Sequence, residues 1–203
     1  MNSLGREILM IGLLGWLLSQ PVLATESTQE FVVGISPLAY YLFDEEDSVR
    51  ESFFISGGTT MFTLFTEWYP LGRFGVGYHH LNGWVKETFP LLTPSSYEYQ
   101  IIMNLVGAQY VLLMEEDNYA RLNLYGAVGP ARYTYAVDDV EQGRTTGLAR
   151  TVGVYYDWGG EGIGGRLGHG VLKAAMPSMR VAGVPRSTSV DGRYTYLSIR
   201  VAF

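Results

Sequence analysis

Polar and apolar residues alternate with period two along most of this chain, most plainly in its last stretch, where Phe203, Val201, Ile199 and Leu197 share one face and Ala202, Arg200, Ser198 and Tyr196 the other. The same alternation predicts about eight strands. Residues 31–43 carry Phe31, Val33, Ile35, Ala39 and Tyr41 on one face, with Pro37 predicting a bulge because it has no N–H for a ladder. Residues 52–69 set Phe62, Leu64 and Trp68 against Thr63 and Glu67, and Gly57-Gly58 marks a second candidate bulge. In 73–84, Phe74, Val76 and Tyr78 oppose Gly75 and Gly77, glycines that leave room for larger side chains from across a narrow barrel. Residues 97–113 place Tyr99, Ile101, Met103 and Leu105 against Gln100 and Asn104.

The fifth strand, 119–137, has Leu122, Leu124 and Val128 outward and Arg121, Asn123 and Tyr125 inward until Gly129-Pro130 interrupts it. In 148–158, Val152, Val154 and Tyr156 oppose Gly153, Tyr155 and Asp157; 162–173 is the seventh strand, and the eighth ends at Phe203. Between them, Pro70-Leu71-Gly72, 115–118 and Gly159-Gly160 read as short turns. Longer polar loops are expected at the acidic Asp44-Glu45-Glu46-Asp47, 85–96, 138–146 and 174–190. Trp68, Tyr69, Tyr119, Tyr156, Trp158 and Phe203 gather beside the short turns, as the interfacial aromatic girdle of a transmembrane barrel does. A soluble barrel or sandwich would show the same alternation, but with a polar outer face.

Composition narrows the picture. Beyond residues 1–24 no apolar run approaches the roughly 20 residues of a spanning helix. Residues 1–24 read as an export signal: Arg6 gives a positive start, 8–18 is a short apolar run, and Val22-Leu23-Ala24 is a small-residue cleavage pattern. The mature barrel domain is then 25–203. The chain has no Cys, which excludes disulfides, thiolate metal sites and cysteine nucleophiles. A net charge of −6, with acids concentrated in expected loops, argues against nucleic acid as a partner.

On this alternation and on its final aromatic strand, the chain resembles the small Gram-negative outer-membrane proteins, the class of the outer membrane protein A membrane domain and outer membrane protein X. The resemblance implies an all-β, eight-stranded antiparallel up-and-down transmembrane barrel, with short turns toward the periplasm and long loops outside. It also implies that Leu197, Ile199, Val201 and Phe203 are the signal read by the barrel assembly machinery. Outer-membrane lipid and lipopolysaccharide are the other partners it implies, and the outer loops would meet an extracellular partner that the residues do not identify. The resemblance is of pattern and carries no active residues, so a non-enzymatic role in surface interaction or envelope integrity is expected, with no cofactor or metal.

A lipid A modifying enzyme, of deacylase or acyltransferase type, is the alternative. Some eight-stranded barrels are lipid A deacylases whose motif pairs a His with a Ser two residues on, followed by Asn; here His79-His80-Leu81-Asn82-Gly83 has Leu81 at the nucleophile's place. Acyl transfer through the same histidines and Ser95 or Ser96 has no specifying constellation. His79, His80 and His169 are too few and too scattered for a zinc site. Gly160, Gly162 and Gly165 match a dinucleotide fingerprint, but no helix follows to receive a pyrophosphate, so a hairpin explains them better. Glu67, Arg121, Asp157, Arg166 and Arg200 fall on the less apolar faces near the periplasmic strand ends. Unpaired they would be costly, so they are expected to meet as a charge network plugging the lumen. An ion path is the functional alternative, against which stands the narrow lumen of an eight-stranded barrel.

Overall fold

The computed structural model describes residues 29–43, 58–89, 95–115, 120–159, 161–181, 184–186 and 190–203. The expected export signal at 1–24, the acidic patch at 44–47, Gly57 and the turn residues 116–118 lie outside them.

Eight long strands close into one antiparallel up-and-down barrel. They are β1 (Glu30–Phe43), β2 (Gly58–Leu71), β3 (Phe74–Phe89), β4 (Ser95–Glu115), β5 (Ala120–Val137), β6 (Val140–Trp158), β7 (Gly162–Ala175) and β10 (Val190–Ala202). Between the last two, β8 (Met179–Val181) and β9 (Val184–Arg186) form a separate two-stranded ribbon in the stretch expected as the longest loop. The ring closes where β1 pairs with β10, from Val32 opposite Ala202 to Phe43 opposite Gly192, and Phe31 and Phe203 exchange backbone hydrogen bonds below. Closure leaves no unpaired sheet edge.

The wall has an apolar exterior. Phe31, Trp68, Phe74, Tyr156, Trp158 and Phe203 are exposed at the end of the barrel carrying the Gly72 turn, and Leu64, Val76, Val106, Leu124, Val128, Val152, Val154, Leu167, Leu197 and Ile199 are exposed above them. Tyr69, expected in the aromatic girdle, instead lies inside, 1% exposed. Adjacent strand residues point to opposite faces, so it cannot share the outer surface with Trp68. Tyr119 is outside the described residues.

The register explains the other departures. β1 shifts against both neighbours across Ser36-Pro37-Leu38, the bulge that Pro37 predicts, and Ser36 Oγ donates to the Leu197 carbonyl (2.6 Å) where the proline offers no N–H. The extra residue reverses parity, so Ala39 is buried inside rather than beside Phe31 and Ile35. Pro130, by contrast, does not interrupt β5, whose ladder with β6 runs through Pro130 opposite Leu148. Residues 138–146 are no loop. Asp138 and Asp139 alone make the turn, both at positive φ (50° and 63°), a conformation Asp tolerates, and residues 140–146 continue as strand. Likewise β3 and β4 extend to Phe89 and from Ser95, shortening the loop expected at 85–96. The shift between Val111 and Leu113 is a further irregularity, near the foot of β4.

Inward glycines are covered by rings from the adjacent strand rather than from across the barrel. A side chain on Gly34 would collide with the Phe65 ring, one on Gly75 with Tyr69, and one on Gly168 with Tyr196. The upper lumen is aliphatic and aromatic, including Leu81, Ile101, Met103, Leu105, Leu172, Tyr133, Tyr194 and Tyr196. The apolar residues of β4 at 101, 103 and 105 therefore face the lumen, and Asn104 faces out, where its Oδ1 accepts from Tyr78 (2.6 Å) and lies 2.9 Å from His80 Nδ1.

Candidate functional site

The lower lumen is charged. β2 contributes Glu67, β6 Asp157, β5 Arg121, β7 Arg166 and β10 Arg200, all at inward parity and all at most 7% exposed. Arg166 is the centre. Its Nη1 and Nη2 grip Glu67 side by side (2.6 and 2.7 Å), while Nε and Nη2 hold Asp157 (2.6 and 3.0 Å). The guanidinium lies between two rings, 3.7 Å from the Tyr155 centroid and 4.2 Å from that of Phe65. A planar fork suits both tasks, pairing in its plane and stacking on its faces, which an ammonium could not do.

Arg121 Nε holds the other side of Asp157 (3.0 Å), its Nη1 reaches Glu30 (2.5 Å), and it stacks over Tyr69 (4.6 Å). Arg200 approaches from farther off: its Nε stands 3.9 Å from Asp157, and its Nη2 donates to the Trp158 carbonyl at 3.5 Å. Three carboxylates thus face three guanidiniums, with formal charge balanced inside the wall. Hydroxyls complete Glu67: Tyr69 and Tyr155 donate to its Oε2 (3.1 and 3.2 Å) and lie 2.7 Å from one another. These two tyrosines, Glu30 and His79 belong to the plug although the sequence reading left them out of it. Parity was the available signal, because Tyr69 shares a face with Glu67 and Tyr155 with Asp157.

Above the charges, Tyr125 and Tyr194 bond through their hydroxyls, and Thr151 Oγ1 lies 2.8 Å from the Tyr194 hydroxyl. His79 stacks between Phe65 and Tyr125 (centroids 5.9 and 5.7 Å), with Nε2 3.6 Å from Glu67. The three histidines do not share a site. His79 faces the lumen, His80 the exterior, and His169 the exterior of β7, where it meets Thr195 Oγ1 at 2.9 Å. Ser95 and Ser96 stand at the far end of β4, and Ser96 is eight residues from the strand partner of His80, about 26 Å at the rise of an extended strand. Among the described residues no group of three or more His, Asp and Glu is placed to hold a metal. Gly162 begins β7, and among the described residues no helix follows.

Phe203, Val201, Ile199 and Leu197 lie along the outer face of β10 and its end, and Ser198 and Arg200 along the inner one.

No protein-family model and no curated protein matches the chain. Solved structures do. Ail, the attachment invasion locus protein of Yersinia pestis, in complex with the heparin analogue sucrose octasulfate, superposes with a TM-score of 0.55 at 10% identity, over 86% of this chain and 99% of that one. Neisserial surface protein A gives 0.53 at 9%, over 86% and 97%, and the outer membrane protein OprG from Pseudomonas aeruginosa gives 0.50 at 14%, over 87% and 97%. At such identities the likeness is one of fold: the chain has the architecture of the eight-stranded outer-membrane β-barrels.

Proposed function

We propose that the protein is an integral outer-membrane barrel that acts as a non-enzymatic scaffold, its lumen sealed and its outer end free for surface interaction or envelope integrity. One observation carries this reading: the buried ion pairs lie in the lumen while a band of leucine, valine and aromatic side chains stands exposed on the exterior. In water such an exterior is an aggregation surface, whereas in a bilayer it is the required one. The closed ring leaves the wall no open sheet edge, as hydrocarbon demands. The proposed seal, which favours a scaffold over a channel, is supported by Arg166 and its partners in the lower half and by aliphatic and tyrosine side chains in the upper half. Export by a cleaved signal at 1–24, and recognition of Leu197, Ile199, Val201 and Phe203 by the assembly machinery, belong to the same reading.

The test has two arms. Cell fractionation should place the protein in outer membranes, resistant to alkaline extraction, and planar bilayers containing purified barrel should show no stepwise conductance. A protein recovered in the soluble periplasm would refute the membrane assignment, and reproducible single channels would refute the sealed lumen. Mass spectrometry of lipid A from cells with and without the gene addresses the enzymatic alternative, since a changed acylation pattern would displace the scaffold reading.

A further inference from the structure

On the exterior, where β3 meets β4, polar side chains gather among apolar ones. The outward residues of β3 are Phe74, Val76, Tyr78, His80, Asn82 and Trp84, and Asn104 of β4 stands directly opposite His80 in the ladder. From Phe74 to Trp84 is ten residues, about 25 Å of height for a strand tilted near 40°. That matches the apolar band of outer-membrane barrels, so the two aromatics mark its margins and His80 lies inside it, about 10 Å below the outer one.

Hydrocarbon offers such groups no hydrogen bond, and each one left unmade there is costly. Part of the need is met within the chain. Asn104 Oδ1 takes the Tyr78 hydroxyl (2.6 Å) and His80 Nδ1 (2.9 Å), and above them Gln100 Nε2 donates to Asn82 Oδ1 (3.3 Å). An amide oxygen only accepts, so the His80 proton sits on Nδ1 and the uncharged ring presents Nε2 as an acceptor. The Asn104 amide nitrogen presents donors. Among the described residues neither of these two atoms has a hydrogen-bond partner.

The wall just below is shallow. Ala108 of β4 and Gly126 of β5 stand directly opposite one another and face outward, and a Cβ on Gly126 would touch only the Thr151 carbonyl, at 3.8 Å. Small residues let membrane-embedded surfaces approach closely. A second exterior pair, His169 with Thr195 (2.9 Å), lies on the opposite side of the ring, with β1 and β2 between on one flank and β5 and β6 on the other. It is walled by Val154, Leu167, Val171 and Leu197, without such a gap.

We infer that two copies of this barrel meet in the membrane through the β3–β4 face, as a two-fold dimer in which His80 Nε2 of each copy accepts from Asn104 Nδ2 of the other. Two identical patches turned face to face exchange left and right, so a two-fold axis along the membrane normal sets each His80 against the other copy's Asn104. The occupant is a second copy because the patch carries acceptor and donor side by side and complements itself, whereas acyl chains satisfy neither. The inference rests on the membrane reading above and names a partner for it.

Energy transfer between barrels labelled at the N-terminus, measured at increasing dilution in lipid vesicles, gives the dissociation constant of the dimer. Leucine suits a lipid-facing wall, so His80→Leu joined with Asn104→Leu should keep the barrel folded and raise that constant about tenfold or more, the scale of two hydrogen bonds lost inside a membrane. Gly126→Leu should raise it severalfold by filling the shallow place, and His169→Leu should leave it unchanged. The chain has no Cys, so introduced cysteines report the geometry cleanly. Barrels carrying His80→Cys, mixed with barrels carrying Asn104→Cys and oxidised, should cross-link, because the mixed dimer keeps one of its two hydrogen bonds beside the disulfide. Either variant alone should cross-link severalfold less, having lost both bonds and set its cysteines diagonally. A wild type that shows no energy transfer at any dilution would leave this face to lipid or to a different protein and overturn the second copy. A dimer unaffected by the leucine pair would overturn the site, and cross-linking of His80→Cys to His169→Cys would replace the two-fold pair with head-to-tail rows. Barrels that enter vesicles but stay monomeric lose only this inference, whereas barrels that never enter them lose the membrane reading itself.

Discussion

Replacing Arg166 by Met tests whether the lumen is held by its ion pairs or merely filled. The side chain is fully buried and makes four short contacts to two carboxylates, at 2.6, 2.7, 2.6 and 3.0 Å. Methionine keeps much of the volume between Phe65 and Tyr155 but removes the charge. Glu67 then keeps the Tyr69 and Tyr155 hydroxyls and His79 at 3.6 Å, Asp157 keeps Arg121 at 3.0 Å, and the lumen is left with one carboxylate in excess. Breaking a buried pair from one side costs about 3–5 kcal/mol, because the remaining charge is stranded. Urea unfolding in lipid vesicles, followed by tryptophan fluorescence, reads this directly. Arg166→Met combined with Glu67→Gln restores neutrality, so the pair should be less damaging than the sum of its parts by about 1–3 kcal/mol. Arg200→Leu serves as the internal comparison, since its Nε stands 3.9 Å from Asp157 where that of Arg166 stands at 2.6 Å, and it should cost clearly less than Arg166→Met. Additive losses in the double variant, or an Arg200→Leu as damaging as Arg166→Met, would show that the plug does not depend on the Arg166 pairs.

Leu197→Arg places a charge midway up the outer face, at a cost of about 2–4 kcal/mol in a bilayer, whereas Leu148→Arg at the outer rim beside Arg150 should cost about 1 kcal/mol or less; equal costs in the same unfolding assay would contradict the lipid-facing assignment. Gly34→Ala should destabilise by about 1–3 kcal/mol through collision with the Phe65 ring, and Phe65→Leu in the same chain should recover part of the loss; a neutral Gly34→Ala, by thermal melting in detergent, would mean that the close packing at this point is not limiting.

The class of fold was legible in the sequence because a barrel wall is written locally: period two tells which residues share a face, and each strand needs only its own residues to show it. Trp68, Tyr156 and Trp158 were placed outside, and Glu67, Arg121 and Asp157 inside, by parity alone. Parity also limits what can be read. One extra residue at Ser36-Pro37-Leu38 moved Ala39 to the other face, and Tyr69 had to be inside once Trp68 was out. The Asp138-Asp139 turn escaped notice because polar residues look alike in a loop and in a strand rising into water. Which charges meet is a question of another kind. Glu67 and Arg166 are 99 positions apart and on strands that are not neighbours in the sheet, so only closure of the ring brings them together across the lumen. The pairing of Arg150 with Lys173 is likewise a product of register, since the two become neighbours only when β6 and β7 align as they do. Period two decides which side of the wall a residue faces, but its partner is decided by shear and closure, which depend on all the strands at once.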